Sequence, residues 1–342
     1  MAPTLHTWAG VLSFVIFLLF GLPVDALPRK KTISNTANTA TSNTAAAGAA
    51  AAAGKISTAT DGSTILDKTV TIDGLSIRYK ISAPADQFTA ASGVTGGTAA
   101  ANAAGANGLN VLLHGDGGQS FFDFPNQAVQ NNLMGVVVLA PNKNRFWGGG
   151  SGLERTDGVA HAAAVNTLIQ DQLSKDVAFD PANVFFTGVS GGSLLLSGFF
   201  MPTFGATYQT GVELNCGALT PQVAVVDGAN MIANTKFHFQ STQDELASLQ
   251  PAIPEAISAY EKLATSAGLT AAEIGALQTV DNTPNGGGHC GFDGKGFVSG
   301  VQLMATNFAN VMSADATGEV TGIGNVLNTV VGNEALQFSS AT

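Results

Sequence analysis

The segment Gly188-Val189-Ser190-Gly191-Gly192 constrains the fold of this 342-residue chain more than any other feature of its sequence. It has the pattern Gly-x-Ser-x-Gly and follows the β-branched and aromatic run Val184-Phe185-Phe186-Thr187, which predicts a strand. Residues 191–200 after it are typical of a helix. A serine on so tight a strand-to-helix turn leaves no room for side chains two positions before or after it, and glycine fits there. The pattern therefore predicts a turn that presents the Ser190 hydroxyl as a nucleophile.

Strand and helix patterns alternate along the chain on both sides of this turn, which favours a mostly parallel sheet covered by helices on both faces. The β-rich runs 69–72 and 75–81 are separated by Asp73-Gly74, a typical hairpin turn. The other predicted strands are 110–113, 135–140, 184–187, 212–215, 223–226 and 236–240. The predicted helices are 157–173, 191–200, 252–264 and 297–309.

The N-terminal part of the chain and one internal segment depart from this pattern. Residues 1–26 contain the apolar run of a secretory signal peptide, with small residues before a cleavage point after Ala26. Residues 27–62 are dominated by Ala, Thr, Ser, Asn and Gly, and we expect a flexible linker because they bury too little apolar surface to offset their ordering entropy. One α/β domain is expected over residues 63–342, with a low-complexity insertion at about 85–108 that is predicted to be an exposed loop.

Composition limits the partners and the compartment of the protein. Charged residues make up 11% of the chain and its net charge is −10, which argues against a nucleic-acid partner. The leader predicts a secreted, extracellular protein that has no membrane association after signal cleavage. In an oxidising compartment the two cysteines of the chain, Cys216 and Cys290, are expected to form one disulfide, and two buried free thiols are the alternative.

A serine nucleophile needs a base, and the five histidines of the chain allow a choice by elimination. His289 lies downstream of Ser190 in the glycine-rich segment 286–291, which suits the order serine, acid, histidine. We therefore expect His289 to be the base, and a solvated loop histidine is the alternative. The others, which lie in the leader, in a separate motif or inside a predicted helix or strand, are His6, His114, His161 and His238.

The acid of such a triad should follow a late strand between the nucleophile and the base. Asp244 comes shortly after the predicted strand 236–240, and its carboxylate could hold the imidazole in the tautomer that accepts the serine proton. Asp227 is the rival candidate. Glu245 would serve if the strand end were shifted by one residue. The alternative role of Asp244 is a turn carboxylate that caps the next helix.

Acyl transfer also needs an oxyanion hole, which is made of two backbone amides aimed at the tetrahedral oxygen. Gly191 follows the nucleophile and is expected to supply one amide. The second is expected from the loop His114-Gly115-Asp116-Gly117-Gly118, with Asp116 as the first choice and Gly117 as the second. A metal site at Asp116 is the competing hypothesis, but the sequence has no ligand cluster around it. His114 then has a structural role within the loop.

Three motifs together resemble secreted α/β-hydrolases of the polyhydroxybutyrate depolymerase and feruloyl esterase-like family. The motifs are His114-Gly115-Asp116-Gly117, residues 180–192, and Gly288-His289-Cys290-Gly291-Phe292-Asp293. The resemblance covers roughly residues 109–309, and the insertion at 85–108 departs from the family pattern. It implies an α/β-hydrolase fold and an ester-cleaving triad of Ser190, Asp244 and His289, with no cofactor and no metal.

The expected activity is hydrolysis of a carboxylic ester through an acyl-enzyme intermediate by a monomeric protein. The ester substrate is open, and a plant cell-wall polymer or a polyester is one option. A serine peptidase or acyltransferase shares the same machinery, and a non-catalytic extracellular binding protein on the same fold is the second alternative. Candidate residues for the substrate pocket, each with core packing as its alternative role, are Phe121, Phe122, Phe124 and Trp147.

Overall fold

A ten-stranded sheet organises the computed structural model, which describes residues 54–59, 61–123, 130 and 132–339. The expected signal peptide, the expected linker up to residue 53, and Phe124 lie outside the described residues. The strands are β1 (Lys55–Thr58), β2 (Thr64–Ile72), β3 (Leu75–Ala83), β4 (Gly108–Leu113), β5 (Leu133–Leu139), β6 (Val184–Val189), β7 (Gly211–Asn215), β8 (Lys236–Gln240), β9 (Gln278–Asp281), β10 (Glu319–Val320), β11 (Gly324–Asn325) and β12 (Asn328–Thr329).

Helices fill the connections between these strands. They are α1 (Gln119–Asp123), α2 (Gly158–Thr167), α3 (Ser174–Asp176), α4 (Gly191–Leu195), α5 (Met201–Tyr208), α6 (Gly228–Asn234), α7 (Leu249–Ser266), α8 (Ala271–Leu277), α9 (Phe297–Thr306) and α10 (Phe308–Met312). Single π-helical stretches, Leu168–Leu173 and Leu196–Phe200, join α2 to α3 and α4 to α5. No helix in the described part of the chain has both the length and the apolar character needed to cross a membrane.

The strand order identifies the fold. Along the sheet the order is β1-β2-β3-β5-β4-β6-β7-β8-β9-β12, and the small pair β10-β11 stands apart. Neighbours from β5 to β9 are parallel, whereas β1 to β3 at one edge and β12 at the other pair antiparallel. The β4-β5 exchange followed by four parallel strands in sequence order is the α/β-hydrolase fold, as predicted. All parallel strands therefore end at one edge of the sheet.

Alternation along the central strands divides the apolar residues between two cores. Val184 and Phe186 of β6 face the larger core, whereas Phe185 and Val189 face the smaller one. The larger core lies under α2 and α4 to α8, and the smaller one lies under α9 and α10. Because both faces of the parallel sheet are covered, the central strands β4, β5 and β6 are apolar at most positions.

Several boundaries differ from the sequence prediction. The hairpin is confirmed, with Ile72 paired to Leu75 across Asp73-Gly74. Residues 55–58, predicted to be linker, form β1 because they pair in antiparallel register with β2. The predicted strand 223–226 is wrong: the Val226 amide donates to the Pro202 carbonyl at 2.8 Å, so this segment follows a helix instead of the sheet. The polar strand β9 was not predicted because its burial comes from tertiary neighbours.

The low-complexity insertion at 85–108 was expected to be an exposed loop, but the structure packs it against the segment after α3. Phe88 is fully buried. The Thr89 amide donates to the Asp176 carbonyl at 2.9 Å, and the Ala178 amide donates to the Gln87 carbonyl at 2.8 Å. A Cβ atom at Gly105 would lie 2.4 Å from the Ala178 oxygen, so glycine permits the close approach. Backbone hydrogen bonds therefore order a segment whose side chains offer little apolar surface.

A buried polar row crosses the centre of the sheet. Four residues that are register partners on β6, β7, β8 and β9 point to the same face of the sheet. They are Thr187, Glu213, His238 and Thr279. His238 Nδ1 lies 3.0 Å from Thr279 Oγ1, and burial lowers the pKa of His238 to about 4. Among the described residues, neither carboxyl oxygen of Glu213 makes a well-formed hydrogen bond. Burial raises the pKa of Glu213 to about 8, because the charged form would lose its hydration, and the neighbouring Asn215 amide lowers the pKa by less.

We expect Glu213→Gln to change the pH dependence of stability. The pKa of Glu213 is higher in the folded protein than in an unfolded chain. Its protonation therefore stabilises the folded state fully below about pH 4.5, and this stabilisation is lost as the pH rises towards 8. Glutamine imitates the protonated carboxyl, so the stability of the variant relative to wild type should rise by up to about 5 kcal/mol as the pH increases from 4.5 to 8. Urea unfolding at several pH values measures this difference, and the exposed change Glu255→Gln is the control. An equal offset at every pH would contradict the prediction.

Candidate active site

The Gly-x-Ser-x-Gly segment forms a strained turn between β6 and α4. Ser190 has φ 48° and ψ −112°, a conformation that side-chain-bearing residues rarely adopt. A Cβ atom at Gly188 would lie 2.6 Å from Ser193 Cα, and one at Gly192 would lie 2.0 Å from the Leu113 oxygen. Both glycines are therefore required by close backbone approach. Ser190 is half-buried, and its side chain points out of the turn towards His289.

Three side chains form a continuous hydrogen-bonded chain. His289 Nε2 lies 2.9 Å from Ser190 Oγ, and His289 Nδ1 lies 2.5 Å from Glu245 Oε2. An ionised carboxylate can only accept, so the proton resides on Nδ1 and leaves Nε2 free to accept from the serine hydroxyl. The Glu245 side chain is fully buried, and that of His289 is 18% exposed. This arrangement can abstract the serine proton.

The carboxylate that meets the histidine is Glu245, which corrects the expectation of Asp244. The strand β8 ends at Gln240, as predicted, but a turn at residues 243–244 intervenes and delivers the following residue to the imidazole. The Thr242 amide donates to Glu245 Oε1 at 3.2 Å and helps to fix the carboxylate. The other oxygen remains available to the imidazole.

The two rival acids have other partners. Asp244 Oδ2 accepts a short hydrogen bond from the Gly286 amide, so Asp244 anchors the start of the loop that carries the histidine. Asp227 is exposed at the N-terminus of α6, where its carboxylate accepts from Asn230 Nδ2 at 3.0 Å. Neither carboxylate contacts the imidazole.

A disulfide joins the histidine loop to the end of β7, as predicted. Cys216 and Cys290 are bonded, with their Cα atoms 5.1 Å apart and a sequence separation of 74. Cys216 follows β7, whose last residue, Asn215, accepts the Ser190 amide at 2.8 Å. The bond therefore ties the residue after His289 to the strand beside the nucleophile. The two sulfurs and the imidazole lie together, but sulfurs paired in a disulfide are not thiolate ligands for a metal ion.

The loop after β4 lies beside the nucleophile. A Cβ atom at Gly115 would be 3.4 Å from Ser190 Cβ, and one at Gly191 would be 2.0 Å from Asp116 Oδ1. The amides of Asp116 and Gly191 have no acceptor among the described residues. The Gly117 amide donates to the Arg145 carbonyl at 3.1 Å, so it is committed elsewhere, contrary to its place as second choice.

Arg155 is the residue near the site that sequence reasoning missed. Its Nη1 and Nη2 atoms donate to the two oxygens of Asp116 at 2.9 and 2.8 Å. The nearest sequence signal is the glycine-rich segment 148–152 that precedes Arg155. It predicts a tight loop but does not indicate which residue pairs with the arginine. The Asp116 carboxylate is thus part of an ion pair.

His114 and His161 are held in the framework of the protein by backbone groups. His114 Nδ1 lies 2.6 Å from the Gly115 oxygen, and its Nε2 accepts from the Ala140 amide at 2.9 Å. Burial lowers the pKa of His114 to about 4, so it stays neutral within the loop. His161 Nδ1 accepts from the Gly148 amide at 2.8 Å, and burial lowers its pKa. His114, as expected, belongs to the framework of the loop.

The aromatic residues predicted to line a pocket are divided between core and surface. Phe121 and Trp147 are fully buried, which supports their alternative role in packing. Phe122 is 43% exposed, with the Arg145 guanidinium 4.8 Å from its ring centroid. The ring near the site that sequence reasoning did not select is Phe297, whose centroid lies 6.1 Å from that of His289.

Comparisons with known proteins give partial structural matches at low sequence identity. No family model matches the sequence, and no curated protein matches it. A Klebsiella pneumoniae protein assigned as a dienelactone hydrolase aligns with a TM-score of 0.44 at 11% identity, over 72% of this chain and 98% of its own. A ferulic acid esterase aligns at 0.40 and 11% identity, over 66% and 91%. A phospholipase/carboxylesterase of Dyadobacter fermentans aligns at 0.40 and 13% identity, over 61% and 92%. Activity is therefore inferred from the geometry of Ser190, His289 and Glu245.

Proposed function

We propose that this protein is a serine hydrolase that cleaves carboxylic esters, with Ser190 as nucleophile, His289 as general base and Glu245 as the acid of the triad. One observation carries the proposal: the imidazole of His289 bridges the serine hydroxyl at 2.9 Å and a buried carboxylate at 2.5 Å. The positive φ of Ser190 is the second support, because strain of this kind is retained where the surrounding structure holds a reactive group in place.

The reaction follows from the position of the protons. His289 Nε2 takes the proton of Ser190 as Oγ attacks the ester carbonyl, and a tetrahedral oxyanion forms. In the proposed reaction the Asp116 and Gly191 amides donate to that oxyanion. The imidazolium then returns the proton to the leaving alcohol as the C–O bond breaks. Water, deprotonated by the same imidazole, attacks the acyl-enzyme and releases the acid and the free serine.

Glu245 acts on the imidazole alone in this scheme. Its buried carboxylate holds Nδ1–H and stabilises the imidazolium that forms during attack, without taking the proton itself. Burial strengthens this interaction because few water molecules screen it. The Thr242 amide on the other oxygen keeps the carboxylate oriented.

An ester substrate is favoured over a peptide by the family resemblance of the motifs, and the peptidase and acyltransferase alternatives use the same triad. The half-buried serine and partly exposed histidine support access for a bulky or polymeric ester. A non-catalytic binding protein would have no need for a base and a buried acid aligned on the serine.

Secretion is part of the proposal. A leader-like sequence at residues 1–26 and a disulfide between Cys216 and Cys290 both suit an oxidising, extracellular environment. The net charge of −10 is compatible with a soluble product that does not bind nucleic acid.

Covalent labelling tests the nucleophile directly. We expect a fluorophosphonate probe to label the wild-type protein and not Ser190→Ala, and hydrolysis of a nitrophenyl ester to fall at least about 10⁴-fold in that variant. Ser193→Ala is the matched control, because the buried Ser193 hydroxyl donates to the Asn215 oxygen at 2.9 Å and does not meet the base. The control should keep its labelling and lose about 1 kcal/mol of stability.

Two outcomes would count against the proposal. Labelling that persists in Ser190→Ala would place the nucleophile elsewhere. Faster turnover of matched peptide amides than of nitrophenyl esters would favour the peptidase alternative.

Neighbouring substitutions distinguish the two acids. Glu245→Gln should lower kcat by about 10⁴-fold because the imidazole loses the acceptor that fixes its tautomer. Asp244→Asn should cost less than about tenfold, because that carboxylate anchors a loop amide and does not touch the imidazole. Steady-state kinetics on one ester measures both variants. The reverse order of effects would restore Asp244 as the triad acid.

Reduction of the disulfide should affect activity before global stability is lost. Opening the bond frees a loop of 74 residues and is expected to cost at most about 4 kcal/mol. The His289 loop should loosen first, because it contains several glycines. We expect kcat of the Cys216→Ser/Cys290→Ser variant to fall about tenfold or more while far-UV circular dichroism is retained at 25 °C. Unchanged turnover in the folded variant would show that the bond does not position the base.

A further inference from the structure

We infer that Arg155 is a positioning residue for the oxyanion hole: its ion pair with the Asp116 side chain holds the Asp116 amide in place beside Ser190. The inference rests on the proposed function, in which that amide donates to the reacting carbonyl oxygen. It concerns a residue that does not itself reach the substrate, because the Arg155 side chain is only 2% exposed.

Hydrogen bonds hold the guanidinium of Arg155 in one orientation. Its Nη1 donates to Asp116 Oδ1 at 2.9 Å and to the Trp147 carbonyl at 2.9 Å. Its Nη2 donates to Asp116 Oδ2 at 2.8 Å and to the Gly152 carbonyl at 2.7 Å. Two carbonyls thus fix the guanidinium in the protein, and two parallel hydrogen bonds fix the carboxylate on it.

The backbone of the preceding loop positions the Arg155 guanidinium beside Asp116. Gly148, Gly149, Gly150 and Gly152 all have positive φ, so the loop after Trp147 folds tightly back on itself. A Cβ atom at Gly148 would lie 2.7 Å from Arg155 Cβ. Backbone so closely packed against the arginine stem leaves the side chain little freedom to move.

The ion pair touches both expected oxyanion donors. Asp116 provides one amide directly. At the other, a Cβ atom on Gly191 would lie 2.0 Å from Asp116 Oδ1 and 3.3 Å from Arg155 Nη1. The salt bridge therefore packs on the first residue of α4, and it sets the distance between the loop after β4 and the turn that carries the nucleophile.

A hydrogen bond from the Gly118 amide to the Gly115 carbonyl, at 3.0 Å, closes a turn around Asp116, and the Asp116 side chain ties this turn to Arg155. Gly115, Gly117 and Gly118 surround Asp116, and the last two have φ values of 91° and 86°. Glycines leave many backbone conformations accessible, so a donor in this loop would lose its preorganised direction without an external tie. The Asp116 side chain is 25% exposed, and the buried arginine supplies that tie.

Lysine cannot replace this arginine, because a single ammonium cannot make the paired hydrogen bonds to the carboxylate and also reach both carbonyls. We therefore expect Arg155→Lys and Arg155→Met to lower kcat for a nitrophenyl ester by about 10²-fold, the size expected when an oxyanion donor is misplaced. KM should change by less than about threefold, because the lost interaction is made in the transition state.

The decisive experiment compares kcat, KM and the rate of fluorophosphonate labelling in four full-length variants. Phosphonylation of Ser190 builds negative charge on a phosphoryl oxygen in the same hole, so its second-order rate should fall in parallel with kcat. Asp116→Asn keeps the backbone amide but weakens the tie, and it should show the same pattern as Arg155→Met. The double variant Asp116→Asn/Arg155→Met should have the same kcat as either single variant, because each substitution breaks the same Arg155–Asp116 interaction.

Arg78→Lys is the matched control. Arg78 forms a similar paired contact with Asp67, at 2.8 and 2.7 Å, across the neighbouring strands β2 and β3, but its side chain is 41% exposed. Its substitution should leave kcat and the labelling rate within about twofold of wild type. Circular dichroism identifies folded variants, and if the Arg155 variants do not fold, Asp116→Asn decides by the same criteria.

A folded Arg155 or Asp116 variant with wild-type kcat would overturn the inference. So would a lowered kcat with an unchanged labelling rate, because the defect would then lie outside the oxyanion hole. These results leave the proposed function intact as long as Ser190→Ala is inactive. A wild-type protein that neither hydrolyses esters nor reacts with the probe would instead overturn the proposed function.

Discussion

The backbone conformation of Ser190 is the constraint on which the site depends. A residue held at φ 48° carries a cost of about 1–3 kcal/mol, so neighbouring contacts must compensate for it. The Ser190 amide donates to the Asn215 carbonyl at 2.8 Å, and its carbonyl accepts from the Leu194 amide at 3.0 Å. Gly192 packs on Leu113 from the other side. The strands that flank β6 therefore secure the turn, and the central position of β6 in the sheet is what makes it possible.

The other members of the site reach Ser190 because parallel strands end at the same edge. Glu245 follows β8, and His289 follows β9, at the edge where β6 ends in the nucleophile. Long loops carry both side chains, so their position depends on additional ties. The Asp244–Gly286 hydrogen bond and the Cys216–Cys290 disulfide hold the histidine loop at its two ends. Rigidity in this part of the protein comes from these specific links more than from apolar packing.

Short sequence patterns correctly predicted the elements that depend on neighbouring residues in the chain. The hairpin at Asp73-Gly74, β6 and the nucleophile turn follow from turn preferences and β-branched residues, and His289 followed from chain order. Assignment of the acid missed by one residue: the sequence favoured Asp244, which lies nearer the strand end, and a turn delivers Glu245 to the ring instead. The link between Arg155 and Asp116 spans 39 residues and follows no periodicity, so only the folded chain reveals it.

The docked segment at 85–108 has a consequence for how this protein diverges. Its attachment to residues 174–180 uses main-chain amides and carbonyls, with Phe88 as the buried side-chain anchor. Main-chain bonding is indifferent to which small residue occupies most positions. Substitutions among Ala, Ser and Thr in this segment should therefore have little effect on stability. Related proteins can keep the same backbone conformation here although their sequences no longer align. For this stretch the glycines at points of close approach, such as Gly97 and Gly105, are the better markers of common descent.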